Sequence, residues 1–303
     1  MSSTGLKYSI VCFGEILWDI LPTGTVPGGA PMNVAYHLKK AGIEPALITR
    51  VGSDDWGKKL IELMEEKNIS TEFFQLDDTM ETGKVSASIG ENNEVTYDIV
   101  KPVAWDYIEW KDDFESLVAH ANYFVFGSLA TRSEITRNTL FGLLDIAKFK
   151  VLDINLRAPH FNRRIIELLL NKINLLKLNH AELELITGWF TKYQSDNDRI
   201  KVLQDRFSIP NIVVTKGGEG SLFNCNGIVH THPGYKVTVA DTVGSGDSFL
   251  AALLAKLSGG NTPGEALRFA SAVGAFIASC HGACPDYNIE EINELMKNDT
   301  VNI

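Results

Sequence analysis

The segment Asp241–Phe249 carries residue types that suit chemistry at an anion. Its sequence, DTVGSGDSF, sets Gly244-Ser245-Gly246 directly before Asp247 and the apolar stretch Asp247–Leu257, which predicts a helix. Two glycines at such a junction allow a tight turn with outward-pointing amide N–H groups, and a helix N-terminus attracts negative charge. The same helix dipole is expected to keep Asp247 ionised.

A carboxylate beside an anion-binding turn suggests more than binding. It can accept the proton of a hydroxyl group while that hydroxyl attacks a phosphorus atom held by the turn, as phosphoryl transfer requires. The alternative is that Asp247 is an ordinary helix N-cap, which is a common role for aspartate. Taken alone, the motif leaves both interpretations open.

The rest of the chain alternates between short apolar runs and amphipathic stretches. The apolar runs predict buried strands: Tyr8–Phe13, Pro45–Val51, Asn122–Phe126, Lys150–Ile154, Asn174–Leu178, Asn211–Thr215 and, before the anion turn, Lys236–Val239. The amphipathic stretches predict helices: Asp54–Asn68, Arg132–Lys148, Phe161–Lys172 and Asp196–Phe207. This alternation indicates an α/β fold, with a mainly parallel sheet and helices on both of its faces.

One region departs from the alternation. Gly83–Ile89 and Glu94–Ile99 alternate apolar and polar residues around the turn-forming Glu91-Asn92-Asn93, which predicts a half-exposed hairpin. Such a hairpin can be a lid over a pocket, a pairing surface or a plain insertion. No linker rich in Pro, Gly or Ser is seen, so we expect one domain over residues 1–303. Its β lid would be formed mainly by about 83–100 and the segment around 17–27.

The net charge and composition limit which kinds of partner the protein is expected to bind. The 303 residues carry a net charge of -10, which disfavours nucleic acid because a phosphate backbone needs a basic face. Four scattered cysteines favour a reducing environment, and neither a signal peptide nor a long apolar stretch is visible. A cytoplasmic protein without a membrane partner is therefore expected.

Three more motifs accompany the anion turn. Gly28-Gly29-Ala30-Pro31-Met32-Asn33 opens a helix predicted over Asn33–Ala41. Asn179-His-Ala-Glu182 and Thr215-Lys-Gly217-Gly-Glu-Gly220 each follow a predicted strand. Ligands of open parallel sheets gather at the carboxyl ends of the strands, so these groups are expected to belong to one site.

Together these motifs resemble those of the ribokinase-like sugar kinases, also called the phosphofructokinase-B family. The resemblance covers nearly the whole chain, and GGAPMNVA together with DTVGSGDSF is its most specific part. It implies a ribokinase-like fold, ATP as phosphoryl donor, Mg²⁺, and a sugar as acceptor. Lids of this family often pair between subunits, so a homodimer is expected.

The resemblance also assigns roles to residues. For the chemistry it implies Asp247 as the base and an anion hole made of amides: Gly244, Ser245 and Gly246. For ATP and Mg²⁺ it implies Asn179, Glu182 (acting on Mg²⁺ through water), Thr215, Gly217 and Gly220. For the sugar it implies Asp19, Gly28, Gly29 and Asn33. Backbone carbonyls near the anion hole are candidates for a monovalent cation such as K⁺: Asp241, Val243 and Gly282. One departure is Ser271, where many members carry an asparagine near the adenine.

The substrate is best read as fructose, because the GGAP turn and the strand end Asp153–Arg157 (DINLR) look most like fructokinases. Arg157 is a candidate for the substrate or the transferred phosphate, or forms a surface ion pair. A 2-keto-3-deoxygluconate kinase is the nearest alternative, and its acid substrate would need a committed cation such as Lys84 or Arg157. A nucleoside kinase and a non-catalytic sugar sensor are further alternatives.

Overall fold

A computed structural model of the protein describes residues 7–21, 24–89, 95–192 and 195–299. The chain divides into two compact units, Met1–Lys39 with Glu44–Lys148, and Lys40–Ile43 with Phe149–Ile303. The turn predicted at Glu91-Asn92-Asn93 lies outside the described residues, and the single-domain organisation stays a prediction. Within the described ranges, no helix combines the length and apolar character needed to cross a membrane.

The first unit contains two sheets. Its strands are β1 (Ile10–Phe13), β2 (Leu17–Leu21), β3 (Gly24–Gly28), β4 (Pro45–Gly52), β5 (Phe74–Asp77), β6 (Gly83–Ile89), β7 (Val95–Ile99) and β8 (Tyr123–Gly127). β1 lies between β4 and β8, and β5 extends the sheet beyond β4, with every pair parallel. All four side chains of β1 are buried, which fits its continuous apolar sequence.

The second sheet of this unit joins the two segments that the sequence assigned to a lid. β2 pairs antiparallel with β3 and parallel with β6, and β6 pairs antiparallel with β7. In this register Trp18 lies beside Lys84 and Asp19 beside Val85. Because side chains alternate across a strand, Trp18 and Asp19 face opposite sides of the sheet. The hairpin is confirmed over Gly83–Ile89 and Val95–Ile99, while its role as a lid stays a prediction.

The helices of the first unit are α1 (Ala30–Lys40), α2 (Asp55–Glu66), α3 (Asp112–His120) and α4 (Glu134–Ile146). α1 begins three residues before the predicted Asn33, because Pro31 is tolerated in a first helical turn. α2 is capped by Asp54, whose carboxylate accepts the N–H of Gly57 and also both the N–H and the hydroxyl of Thr82.

A buried ion pair supports the base of the hairpin. The guanidinium of Arg132 donates to Asp106 at 2.7 and 2.8 Å and to the carbonyl oxygens of Ile99 and Val100 at 3.1 and 2.8 Å. It also stacks on the Trp105 ring, 3.7 Å from the centroid. Arg132 therefore ties the end of β7 to the segment before α4.

The strands of the second unit lie in the order β13-β12-β11-β10-β9. These strands are β9 (Lys150–Asp153), β10 (Leu175–Asn179), β11 (Asn211–Thr215), β12 (Ser221–Cys225) and β13 (Ile228–His232). The first three pair in parallel, whereas β12 and β13 pair antiparallel. The strand predicted at Lys236–Val239 is wrong: this stretch is irregular, although its alternating Lys-Val-Thr-Val suits a strand.

The helices of the second unit are α5 (Arg163–Leu170), α6 (His180–Gly188), α7 (Asp196–Phe207), α8 (Ser245–Ser258), α9 (Pro263–Ala278) and α10 (Ile289–Asp299). α8 and α9 pack against each other and are joined by four residues, and both helices bury alanines: Ala251, Ala252, Ala266, Ala270 and Ala272. Gly274 permits this close approach, because a Cβ there would lie 3.3 Å from Cβ of Phe249.

Candidate active site

The predicted anion turn forms the start of α8. Gly244 is the N-cap, in the left-handed region at φ 76°, and the helix begins at Ser245 rather than at the predicted Asp247. Asp247 is therefore the third helical residue and not the N-cap, which removes the simplest alternative to a chemical role. A first helical turn leaves its N–H groups without intrahelical partners, and a glycine N-cap has no side chain to bind them. The turn can thus present amides to an anion, although the N–H of Ser245 makes a bond of 3.3 Å to the Thr242 carbonyl that an anion would have to replace.

The conformation of this turn depends on Gly244. A Cβ at this position would lie 2.6 Å from Cα of Ala283 and 2.7 Å from its carbonyl oxygen. Backbone atoms cannot give way as a flexible side-chain end can, and the positive φ adds strain for any other residue. The start of α8 would have to move to accept a side chain.

If the turn holds a transferred phosphoryl group as predicted, Gly244→Ala lowers kcat of that transfer about a hundredfold, because a shift of about 1 Å in a catalytic group has an effect of that size. Steady-state kinetics measures it. Gly260→Ala is the matched control: Gly260 also has a positive φ, 81°, but a Cβ there meets nothing within 4 Å. Equal kcat values for the two variants would contradict this account of the turn.

Asp241 holds the loop before α8 against the loop after α9. Its carboxylate accepts the N–H of Val243 at 3.0 Å and the N–H of Gly282 at 3.2 Å. The structure thus brings together the three residues predicted near a monovalent cation. The N–H groups of Val243 and Gly282 both donate to the Asp241 side chain. The backbone carbonyls of the three residues are therefore the candidate ligands for a cation.

Asn179 and Glu182 form a capping box at the start of α6. Asn179 Oδ1 accepts the N–H of Glu182, and Glu182 Oε2 accepts the N–H of Asn179, both at 2.9 Å. The other oxygen of Glu182 accepts the N–H of Leu156 at 2.8 Å. Burial raises the pKa of Glu182, and the charge of Asp153 adds to this, although the two amide donors oppose it. The two residues are thus neighbours, with Glu182 buried and Asn179 exposed, and their role with Mg²⁺ stays a prediction.

The third phosphate-side motif is a turn between β11 and β12. Thr215 ends β11, and Gly217 and Gly220 both have positive φ, at 57° and 89°. Gly220 has no room for a side chain, because a Cβ would collide with the carbonyl oxygen of His232. Lys216, which lies within this motif but was assigned no role from the sequence, forms an ion pair with Asp196 at 2.6 Å.

Sequence reasoning missed a buried ion pair next to the anion turn. Lys177 Nζ lies 3.0 and 2.8 Å from the two carboxylate oxygens of Asp153, and both side chains are buried. Burial alone would lower the pKa of Lys177, but Asp153, Asp247 and Glu182 together raise it. The signal in the sequence was a lysine inside the otherwise apolar run Asn174–Leu178.

The predicted sugar-side residues meet at the start of α1. A Cβ at Gly28 would collide with Oδ2 of Asp19, and a Cβ at Gly29 would lie 2.5 Å from the carbonyl oxygen of Glu15. The N–H of Asn33 donates to the carbonyl of Gly29 at 2.9 Å. Sequence reasoning missed Glu15, a buried residue whose carboxylate accepts the N–H of Ala30 at 3.3 Å.

Comparison with known proteins identifies the family to which this chain belongs. Residues 9–290 match the model of the pfkB family carbohydrate kinases. The chain is 30% identical over 308 residues to probable fructokinase-7 of Arabidopsis thaliana, covering 91% of this chain and 88% of that one. This chain belongs to the pfkB family of carbohydrate kinases. The prediction of an ATP-dependent sugar kinase is thereby confirmed.

Solved structures share the fold of this chain. The ATP-bound fructokinase of Xylella fastidiosa superposes with a TM-score of 0.86 at 21% identity, covering 97% of this chain and 100% of that chain. A double mutant of the Vibrio cholerae fructokinase, bound to fructose, ADP and potassium, gives 0.82 at 22% identity, covering 96% and 98%. The predicted ribokinase-like α/β fold is confirmed.

Two further positions singled out in the sequence of this pfkB-family kinase are Arg157, whose role at the substrate stays a prediction, and Ser271, which departs from the asparagine of many members. Arg157 is exposed, and its guanidinium donates to the carbonyl of Leu156 at 3.2 Å. Ser271 is buried, where its hydroxyl bonds the Ser221 hydroxyl and the Leu267 carbonyl, both at 2.8 Å. Because these partners occupy the hydroxyl, a contact from Ser271 to a nucleotide base would have to displace one of them.

Proposed function

We propose that this kinase transfers the γ-phosphoryl group of ATP to a hydroxyl of fructose. The observation that carries the chemistry is the start of α8, where Gly244 opens a turn of amides and Asp247 stands in the first helical turn. Probable fructokinase-7 of Arabidopsis thaliana, at 30% identity, supports the choice of sugar. So do the fructokinase structures of Xylella fastidiosa, which contains ATP, and of Vibrio cholerae, which contains fructose and ADP.

In the proposed reaction Asp247 accepts the proton of the sugar hydroxyl. The hydroxyl oxygen then forms its bond to the γ-phosphorus while the bond to the departing ADP breaks. The amides of Gly244, Ser245 and Gly246 hold the transferred group as charge builds up on its oxygens. Asp19 and Asn33 hold the sugar through its hydroxyls, and the turn at Gly28-Gly29 lets the backbone approach it.

Mg²⁺ is proposed to accompany ATP, with Glu182 acting through a water molecule and Asn179 beside it. Glu182 fits this role because each of its oxygens accepts only one backbone N–H, which leaves a lone pair on each. Its burial favours an intervening water over direct binding, and Mg²⁺ keeps several waters in most sites. When bound, Mg²⁺ would neutralise part of the negative charge on the phosphates. Carbonyls of Asp241, Val243 and Gly282 are proposed to hold a monovalent cation such as K⁺.

The charges around the sugar-side residues favour a neutral sugar over a sugar acid. Lys84, one cation that the acid would need, pairs with Glu81 at 3.0 Å and lies over the Trp56 ring. It shares the Trp18 face of the sheet, opposite Asp19. Glu15 and Asp19 bring two carboxylates to this region, which would repel a substrate carboxylate. These contacts support fructose against 2-keto-3-deoxygluconate.

A panel of ADP-release assays with ATP tests the proposal. Fructose is expected to give kcat/KM at least about tenfold above ribose, 2-keto-3-deoxygluconate and adenosine, a margin worth about 1.4 kcal/mol of transition-state binding. Preference for the acid or the nucleoside would overturn the choice of sugar. Fructose binding without turnover would favour the sensor. Homodimerisation through the lid stays a prediction.

A further inference from the structure

The ion pair of Lys177 with Asp153 lies against the anion turn. β9 and β10 run parallel, and their register sets Lys177 directly beside Asp153. The side chains are 8% and 4% exposed. A Cβ added to Gly246 would lie 2.8 Å from Lys177 Nζ, with no other atom nearer. The ammonium therefore reaches the backbone of the second helical residue of α8, and a side chain at position 246 would have to displace it.

The pair is poorly explained by stability alone. Burying two charges removes their hydration, and apolar side chains of similar volume often replace such a pair without loss of stability. If its only role were to fill the core, a buried lysine would cost desolvation free energy that an apolar side chain would not. Its position beneath a turn that presents amides offers another explanation.

The carboxylates near this turn create the need for a cation. Asp153, Asp247 and Glu182 are all close enough to stabilise the charged form of Lys177. Without Lys177, a phosphoryl group arriving at the turn would meet these carboxylates, and amide dipoles alone would have to outweigh their charge. An ammonium held in a buried position acts with little screening by solvent, so one lysine can offset much of this repulsion.

We propose that Lys177 is a positioning residue for phosphoryl transfer, which fixes Gly246 in place and supplies positive charge beneath the amides that hold the transferred group. Asp153 keeps the ammonium in position. This inference rests on the proposed role of the Gly244–Gly246 turn, but not on the identity of the sugar. Lys177 acts through the turn, since its ammonium is buried under Gly246.

The test replaces the pair by apolar residues, Lys177→Met with Asp153→Leu, so that no charge is left buried alone. We expect kcat to fall about a hundredfold, near the effect of losing one oxyanion donor, while KM for fructose changes less than about threefold. Lys177→Arg, which keeps the charge, should retain more of kcat than the apolar pair. Thermal unfolding of each variant checks that it folds.

A control replaces a second ion pair that is largely shielded from solvent, Arg50 (15% exposed) with Asp77 (4% exposed), which joins β4 to β5 in the first unit at 2.8 Å. Arg50→Met with Asp77→Asn keeps an acceptor for the N–H groups of Thr79 and Met80. Its kcat should stay within about threefold of the parent value. An equal fall of kcat in both double variants, or an unchanged kcat in the Lys177 pair, would overturn the inference.

A second measurement needs no turnover. Inorganic phosphate is titrated into the parent protein and the Lys177 double variant by calorimetry, and about tenfold weaker binding is expected for the variant. Equal affinities, or no phosphate binding by the parent, would overturn the inference. A parent protein that phosphorylates no sugar in the panel, but binds phosphate in a Lys177-dependent way, would support it and overturn only the proposed substrate.

Discussion

Asp247→Asn is expected to lower kcat for sugar phosphorylation by about two to four decades, the range found when a general base is lost. The amide has nearly the same shape as the carboxylate but cannot accept the proton of the hydroxyl. Because Asp247 is the third residue of α8 and does not cap it, the helix should form normally in the variant. The measurement is a coupled ADP-release assay at saturating ATP and fructose.

The control for this variant is another acid in a first helical turn. Asp55 is the first residue of α2, its side chain is 89% exposed, and its closest cation is Lys58 at 3.6 Å. Asp55→Asn should leave kcat within about twofold of the parent, since surface substitutions rarely matter. If Asp247→Asn behaved in the same way, Asp247 would not be the base.

Arg132→Met is expected to lower the free energy of unfolding by about 3–5 kcal/mol, because it leaves the Asp106 carboxylate buried without its cation. The two side chains are 1% and 2% exposed. The change also removes the donors that hold the carbonyls of Ile99 and Val100. Urea unfolding followed by circular dichroism measures the difference.

An exposed arginine offers the contrast. Arg163 pairs with Glu167 at 2.7 Å, four residues along α5, and its side chain is 52% exposed. Solvent screens such a pair, so Arg163→Met should cost no more than about 1 kcal/mol. Similar losses for both variants would mean that burial of Asp106 does not set the size of the effect.

The elements that sequence analysis placed best are those bounded by strong local signals. Asn211–Thr215 and Asp196–Phe207 agree with the prediction residue for residue: the strand follows a proline, and the helix follows Ser195, whose hydroxyl caps it. α1 and α8 begin earlier than predicted, because Pro31 and Gly246 are poor helix formers that a first turn still accepts. Lys236–Val239 alternates like a strand but forms none, since alternation does not supply a partner strand.

The residues of the candidate site also fall into two groups, those that a local motif predicts and those that meet only in the folded structure. The glycine turns and Asp247 could be predicted because the motifs that suggest their roles consist of consecutive residues. Lys177 with Asp153, and Glu15 with Ala30, are separated by 24 and 15 residues. Their meaning depends on which strands pair and in which register, which local patterns do not specify. The capping box of Asn179 with Glu182 lies between these cases, because its spacing is local whereas its bond to Leu156 is not.

The helix pair of α8 and α9 has two ends with opposite tolerance for chemical labelling. At one end Asp241 bonds to Gly282, and its own N–H donates to Ala278 at 3.2 Å, so any group attached there would displace the anion turn. At the other end residues 259–262 are exposed. A fluorophore on Asn261 would lie about 20 Å from the turn, the length of the 14-residue α8. The same fluorophore on His281, next to Gly282, would report on the turn by disturbing it.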